Sequence, residues 1–205
     1  MSASTTTHHE GSSTVCRTTG LPVISRPEWT DCKFGSGYRL TTWVIGDRIL
    51  FNQGSGTAEL EDIVDSLRMT DAIVREHIDD SNGYVHVSDY SGMRGITSEA
   101  RKYYIGHKQR QNKLLGLIYF GASPLFNITV KLFKRLSRIN LKVRAVRDYD
   151  EALLAALRLI GAEPPKAFPD GTQGRLREKQ VSDHYEQGRH ILRCDRWNLL
   201  LDDYS

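Results

Sequence analysis

The residues that could carry chemistry concentrate between Tyr84 and Tyr104, in the stretch YVHVSDYSGMRGITSEARKYY. His86, Asp89 and Ser91 are residue types found in nucleophile sets of hydrolytic enzymes. On a strand, however, residues three apart point to opposite faces, so His86 and Asp89 are not expected to meet. The chain also has no G-x-S-x-G elbow and no metal-ligand spacing. We therefore do not expect an enzyme, and we predict no catalytic residue, metal site or cofactor.

The end of this stretch suits recognition better than catalysis. Thr97 and Ser98 can cap a helix, or one of them can take a phosphate, because free amide groups and the helix dipole favour negative charge there. Glu99 is favoured near the same helix start for the same reason. It is also a candidate salt-bridge partner for Arg94.

Residues 88–99 are predicted to form a polar loop at the carboxyl end of a strand, where open α/β sheets bind their ligands. Arg94 could anchor an anion or an acidic partner, with a solvated loop cation as the alternative. Tyr90 could supply contact area. A helix predicted to start at Ser123 would adjoin the loop, with Phe126 on its broad apolar face.

Charge is distributed unevenly along the chain. Residues 55–99 hold ten Asp or Glu against three Arg, whereas residues 100–147 hold twelve Lys or Arg and no carboxylate. The basic block can meet nucleic acid, a lipid surface or an acidic protein, or the two blocks can neutralise each other within one domain. We do not expect nucleic acid, because aromatic interleaving is limited and no reader motif occurs. A broad apolar arc within residues 125–136, beside a basic stripe, keeps a lipid or another apolar ligand as an alternative.

The elements that would position these residues alternate regularly. A two-stranded hairpin comes first, and GSGT at residues 54–57 is predicted to end its second strand, with Thr57 capping the first helix. Three rounds of strand and helix follow, with the strand at 114–121 in the middle of the sheet. This order predicts an α/β fold with a mixed, mostly parallel sheet and about four helices. The predicted strands are 38–45, 49–53, 84–89, 114–121 and 141–146, and the predicted helices end near residues 80, 112, 138 and 160. For the last helix, Asp148 and Glu151 form a capping-box-like start, and Gly161 is predicted to end it.

Composition divides the 205 residues into three parts. Residues 1–20 lack apolar periodicity and are predicted to be a disordered tail. Residues 21–162 are expected to form the folded domain, beginning with an arm across its core. Residues 163–205 are interpreted as a linker and the start of a further segment that is cut short. No run of about 18 apolar residues exists, so we expect a cytoplasmic protein without a transmembrane segment. The three Cys include no CxxC pair, so we expect neither a disulfide framework nor a zinc site.

Three segments carry a resemblance to a known family: VSDYSGMRGITSEARKYY, IYFGASPLFNITVKLFKRL and VRAVRDYDEALLAAL. Over about Tyr38 to Ile160 they resemble the SpoIIAA-like branch of the STAS (sulfate transporter and anti-sigma-factor antagonist) superfamily, which also includes lipid-carrier-like relatives. The resemblance implies the fold of that branch. In the family, a strand ending in Asp precedes a small-residue loop and a helix start that contains Ser or Thr. These features fall here on Asp89, Ser91, Gly92, Thr97, Ser98 and Glu99.

The resemblance also implies a regulatory role. Anti-sigma-factor antagonists carry a phosphorylatable Ser in an Asp-Ser-Ser-Gly-like turn. The corresponding residues of this chain, 95–100, read GITSEA, and Ser98 aligns best with the phosphorylatable Ser, with Thr97 next. We hypothesise a non-enzymatic regulatory or sensory module of a bacterial-type signalling protein, acting through protein or small-ligand recognition. Its expected partners are another protein or a C-terminal signalling domain, a small apolar or anionic ligand, and a second copy in a homodimer. The predicted binding residues are Asp89, Tyr90, Ser91, Arg94, Glu99, Ser123 and Phe126.

Overall fold

A computed structural model describes residues 14–122 and 141–163 of the chain. Within these ranges the strands are β1 (Thr14–Val15), β2 (Pro22–Ile24), β3 (Cys32–Lys33), β4 (Arg39–Ile45), β5 (Ile49–Ala58), β6 (Tyr84–Ile96), β7 (Leu114–Phe120) and β8 (Lys142–Ala145). The α-helices are α1 (Leu60–His77), α2 (Ser98–Gln109) and α3 (Tyr149–Ile160). The eight strands form one sheet in the order β1-β2-β4-β5-β6-β7-β8, with β3 paired to β4.

The sheet is antiparallel at its N-terminal end and parallel from β5 to β8. The α/β fold with a mixed sheet is therefore confirmed, and three helices lie within the described ranges. A fourth helix, predicted to end near residue 138, lies outside them. The middle of the sheet is formed by β5 and β6, so the prediction that residues 114–121 occupy it is wrong. Within the described residues only β8 lies beyond β7, so β7 is next to the last strand of the sheet.

Alternate residues of the strands divide the core into two halves. Leu50 and Tyr84 belong to a core shared with α1 and α2, on what we call the α2 face of the sheet. Phe51 and Val85 belong to a core shared with α3, on the α3 face. Because successive side chains of a strand point to opposite faces, the residue parity along β6 decides which core a side chain joins.

The GSGT segment bends the second hairpin strand but does not end it, which corrects the prediction at residues 54–57. β5 continues to Ala58 and pairs with β6 as far as Ile96, with register shifts on either side of Ser55 and Gly56. Gly56 has φ +85°, a conformation that suits glycine. The first helix consequently starts later than predicted and is not capped by Thr57.

The N-terminal segment joins the sheet. Residues 14–20, assigned to a tail by the sequence prediction, contain β1 and the buried Cys16. The segment expected to be an arm across the core instead supplies the short strands β2 and β3, which pair with β4. This pairing satisfies backbone groups that β4 would otherwise present at an open edge. Trp29 and Cys32 are the buried side chains of this segment.

Two sets of polar contacts tie distant parts of the chain together. The hydroxyl of Thr18 donates to the Asp150 carboxylate at 2.6 Å, at the start of α3. At the other end of that helix, the Arg48 guanidinium donates to the carbonyl oxygens of Asn82, Gly83 and Ile160 at 2.7, 2.7 and 3.0 Å. Arg48 thus joins the β4–β5 turn, the turn before β6 and the end of α3.

Several helix boundaries agree with the sequence prediction. The Asp148 side chain accepts a hydrogen bond from the Glu151 amide at 2.9 Å, and Gly161 ends α3 in the left-handed conformation with φ +73°. Thr97 caps α2. The first part of the predicted tail, the linker and the segment beyond it, to residue 205, lie outside the described residues.

Candidate functional site

The predicted loop at residues 88–99 is mostly strand, because β6 runs on to Ile96. Asp89 is 6% exposed. One of its carboxylate oxygens accepts the Ser91 amide at 2.8 Å, and the other accepts the Gln53 side-chain amide at 3.1 Å. Both oxygens of Asp89 therefore hold the bulged end of β6 in place.

The other predicted residues of this region form an exposed row, which we call the β6–α2 edge: Ser91, Arg94, Thr97, Ser98 and Glu99. Thr97 accepts a hydrogen bond from the Ala100 amide at 3.3 Å, as a helix cap does. Ser98 is the first helical residue. Arg94 takes part in none of the ion pairs formed within residues 14–122 and 141–163, so its predicted pairing with Glu99 is absent there.

A cavity of about 90 Å³ lies on the α2 face, directly beneath this edge. Tyr38, Tyr90, Tyr104 and Tyr119 line it together with aliphatic side chains from β4, α1 and β7. Tyr90 is thus the predicted residue that faces inward. Ser123 and Phe126, which were predicted to complete the site, lie outside the described residues.

Polar side chains of β6 and α2 form a chain along one wall of the cavity. The hydroxyl groups of Tyr90, Tyr104 and Ser88 are hydrogen-bonded to one another. The Ser88 hydroxyl also lies 3.4 Å from Nε2 of His86. Burial raises the pKa of both tyrosines, so their hydroxyl groups stay protonated and able to donate near neutral pH.

His86 is 1% exposed, so its ring is fully buried on the α2 face. Its Nδ1 atom has no hydrogen-bond partner among the described residues. Burial, and to a lesser degree the charge of Lys108, holds the pKa of His86 well below its usual range. Ser88 and His86 resemble a nucleophile and base, but they lack the acceptor at Nδ1 that orients the base in catalytic triads.

Lys108 is the main functional candidate that the sequence reasoning missed. Its side chain is 1% exposed and lines the cavity. The ammonium group donates to the side-chain oxygen of Gln111 at 3.2 Å and lies 5.9 Å from the centroid of the Tyr104 ring. Burial lowers the pKa of Lys108 to about 8, although the charge of Asp71 acts in the opposite direction.

The sequence contains a signal for the polar wall of the cavity. His86, Ser88 and Tyr90 alternate along β6 and so share the α2 face. Tyr104 and Lys108 are four residues apart and so share one side of α2. Only the placement of α2 over β6 brings the three strand residues and the two helix residues together.

The described ranges contain no group of three or more His, Cys, Asp or Glu side chains that could hold a metal ion. No helix within them is long and apolar enough to cross a membrane.

No protein-family model and no curated protein matches the chain. Among solved structures, it is similar to an uncharacterised protein of the DUF3478 family with a SpoIIAA-like fold from Shewanella loihica PV-4. That similarity has 14% identity and a TM-score of 0.45, and covers 60% of this chain and 97% of the other. The chain is also similar to the anti-sigma factor antagonist SpoIIAA in its unphosphorylated form, at 10% identity and a TM-score of 0.42, over 58% and 97% of the two chains. Both likenesses are of fold alone.

Proposed function

We propose that this domain is a non-enzymatic regulatory module that senses a small molecule in the cavity and presents the outcome to a protein partner at the β6–α2 edge. The observation that carries the proposal is that the cavity and the edge share the same two elements. Along the end of β6, Tyr90, Met93 and Ile96 line the cavity, whereas Ser91 and Arg94 are exposed. A ligand that moves the inward-facing side chains would therefore also move the outward-facing ones.

The size and lining of the cavity limit what it can bind. A volume of about 90 Å³ is well below the roughly 300–1,000 Å³ typical of pockets for drug-sized ligands. It suits a molecule of a few non-hydrogen atoms or several waters. The alternative of a lipid or large apolar ligand depends on residues 125–136, outside the described ranges, and stays a prediction.

Ligand binding is tested by NMR, with a library of small molecules added to the full chain. Binding in the cavity should shift the amide signals of β6 and α2 and leave those of β1 and β2 unchanged. Tyr104→Phe, which removes a hydroxyl group from the lining, should alter the affinity or the shift pattern. Tyr103→Phe is the matched control, because Tyr103 lies on the same helix and is 39% exposed. Shifts that map elsewhere, or identical behaviour of the two variants, would count against a ligand site here.

The partner surface is tested with variants of the edge. Ser98 stays the first predicted phosphorylation site and Thr97 the second, because both lie exposed at the start of α2. Ser98→Asp and Arg94→Ala should each change the affinity for a purified partner. Arg110→Ala, which removes an exposed cation at the other end of the helix, is the control. If Arg110→Ala changes binding as much as Ser98→Asp and Arg94→Ala do, the edge is not the partner surface.

A further inference from the structure

The lining of the cavity is electrostatically one-sided. Lys108 and Arg101 contribute positive charge, and the described lining contains no Asp or Glu. A cavity lined by one sign of charge and walled by apolar side chains focuses its field on whatever enters it. The lining therefore favours a negatively charged occupant over a neutral or positive one.

The buried ammonium group has no carboxylate partner of its own. Within the described residues Lys108 forms no ion pair, and the hydrogen bond it makes ends on the neutral Gln111. Asp71 approaches only through that amide, which donates to one of its oxygens at 2.8 Å, while His107 Nε2 lies 2.9 Å from the other oxygen. Burying a charge without an ion-pair partner is costly, so an anion that reached Lys108 would offset a cost that the folded domain already bears.

The cavity also offers neutral hydrogen-bond donors. The side chain of Tyr38, which carries a hydroxyl group, is part of the cavity lining. Burial raises the pKa of Tyr38, so the group is a donor at neutral pH. The apolar remainder of the wall, which includes Leu40, Ile63 and Leu117, suits a hydrocarbon body.

We infer that the ligand of this cavity is a small organic anion, with a carboxylate that pairs with Lys108 and a short apolar body that packs against Leu40, Ile63 and Leu117. The inference rests on the proposed function, since it names the chemical class of the molecule that the domain senses. Charge-assisted hydrogen bonds are about twice as strong as neutral ones, so the carboxylate would supply most of the preference for an acid over a neutral molecule of the same shape.

The test compares acids with neutral molecules of the same shape. Propionate and butyrate, each paired with its amide, are titrated into the full chain and followed by the NMR signals of β6 and α2. We expect each acid to bind at least about tenfold more tightly than its amide. Lys108→Met should abolish this preference, and Lys108→Gln provides a second variant if the first fails to fold. Arg110→Ala should retain the preference, because Arg110 is exposed.

The outcomes separate the inference from the proposal on which it rests. Equal affinity for acid and amide, with shifts that still map to the cavity, would overturn the anion assignment and leave the small-molecule site intact. An acid preference that survives in both Lys108 variants would overturn it as well. If neither acids nor amides shift the signals of β6 and α2, the sensing proposal itself fails and the inference fails with it.

Discussion

Replacing Lys108 by Met should make the folded domain more stable near neutral pH, and the size of the gain should depend on pH. The substitution removes a buried charge and keeps an unbranched side chain of similar length. The substitution leaves no acceptor without a donor, because the Gln111 side-chain oxygen that accepts from Lys108 also accepts from the Tyr84 hydroxyl at 3.0 Å. The ionisable groups around Lys108 are Asp71 on α1, His86 on β6 and Tyr104 on α2.

The expected magnitude follows from the pKa of the lysine. Burial lowers this pKa from 10.5 to about 8, a difference that corresponds to about 3 kcal/mol. A lowered pKa means that the unfolded chain holds the proton more tightly, so the free energy of unfolding rises with pH between the two values. Between about pH 7 and about pH 9.5 this one group should add about 2 kcal/mol to the stability of the parent protein. The variant cannot show this rise, so its advantage should shrink over that interval.

Urea denaturation, followed by circular dichroism at matched ionic strength, measures the effect. The free energy of unfolding is measured for the parent and the variant at several pH values. Subtracting one from the other removes the contribution of groups that titrate identically in both proteins. A difference that stays constant between about pH 7 and about pH 9.5 would refute the assignment of a lowered pKa to Lys108. A variant that is less stable than the parent throughout the interval would show that the ammonium group stabilises the domain.

Three further predictions concern the framework of the site. Gly56→Ala should lower the free energy of unfolding, measured by urea denaturation, by at least about 1 kcal/mol. The residue has φ +85°, and the new Cβ would lie 2.5 Å from the Gly37 carbonyl oxygen. Gly95→Ala is the control and should lower it much less, because its Cβ would have no neighbour closer than 3.6 Å. Burial raises the pKa of Tyr104 and Tyr90, so stability should fall above about pH 10, where the unfolded chain loses protons that the folded one keeps. The part of the tyrosinate absorbance that is lost in Tyr90→Phe and Tyr104→Phe should appear together with the loss of helical circular dichroism, and its appearance well before that loss would contradict the burial of these hydroxyl groups. Asp148→Ala should destabilise α3 by about 1 kcal/mol through loss of its cap, whereas Asp148→Asn should retain most of the stability.

Local sequence signals predicted the order of the elements and many of their ends. The Thr97 and Asp148 caps and the Gly161 helix end depend on hydrogen bonds and dihedral angles within one turn, so the residues concerned are close in sequence. The alternation of strands and helices likewise required only periodicity. The α/β class followed from these local features.

The prediction was wrong where a distant partner decides the structure. GSGT has the composition of a strand end, yet Gly54 and Gly56 bend β5 while β6 continues to pair with it through its own irregular end. The residues from Ser88 onward were therefore predicted to be a loop when most of them are strand. That pairing joins residues more than thirty positions apart, and no local pattern reports it.

The cavity could not have been found from the sequence for a related reason. Lysine is among the residues that are least often buried, so sequence reasoning predicts that Lys108, in a basic stretch, is a solvated cation. Its burial depends on the approach of α2 to β6, where His86 and Ser88 already fill the strand face. The exposed residues of the β6–α2 edge were easier to identify, because they are polar and lie at a helix start.

The contacts that Thr18 and Arg48 make with α3 also set an order of events during synthesis. The chain leaves the ribosome from its N-terminus, so the β4–β5 hairpin and α1 can form while Asp150 and Ile160 are still untranslated. Until then, the apolar side chains of the α3 face lack α3, which covers them in the finished domain, and exposed apolar surface in partly made chains favours aggregation. Translation speed across the codons just before α3 should therefore affect the yield of folded protein, independently of the stability of the finished domain.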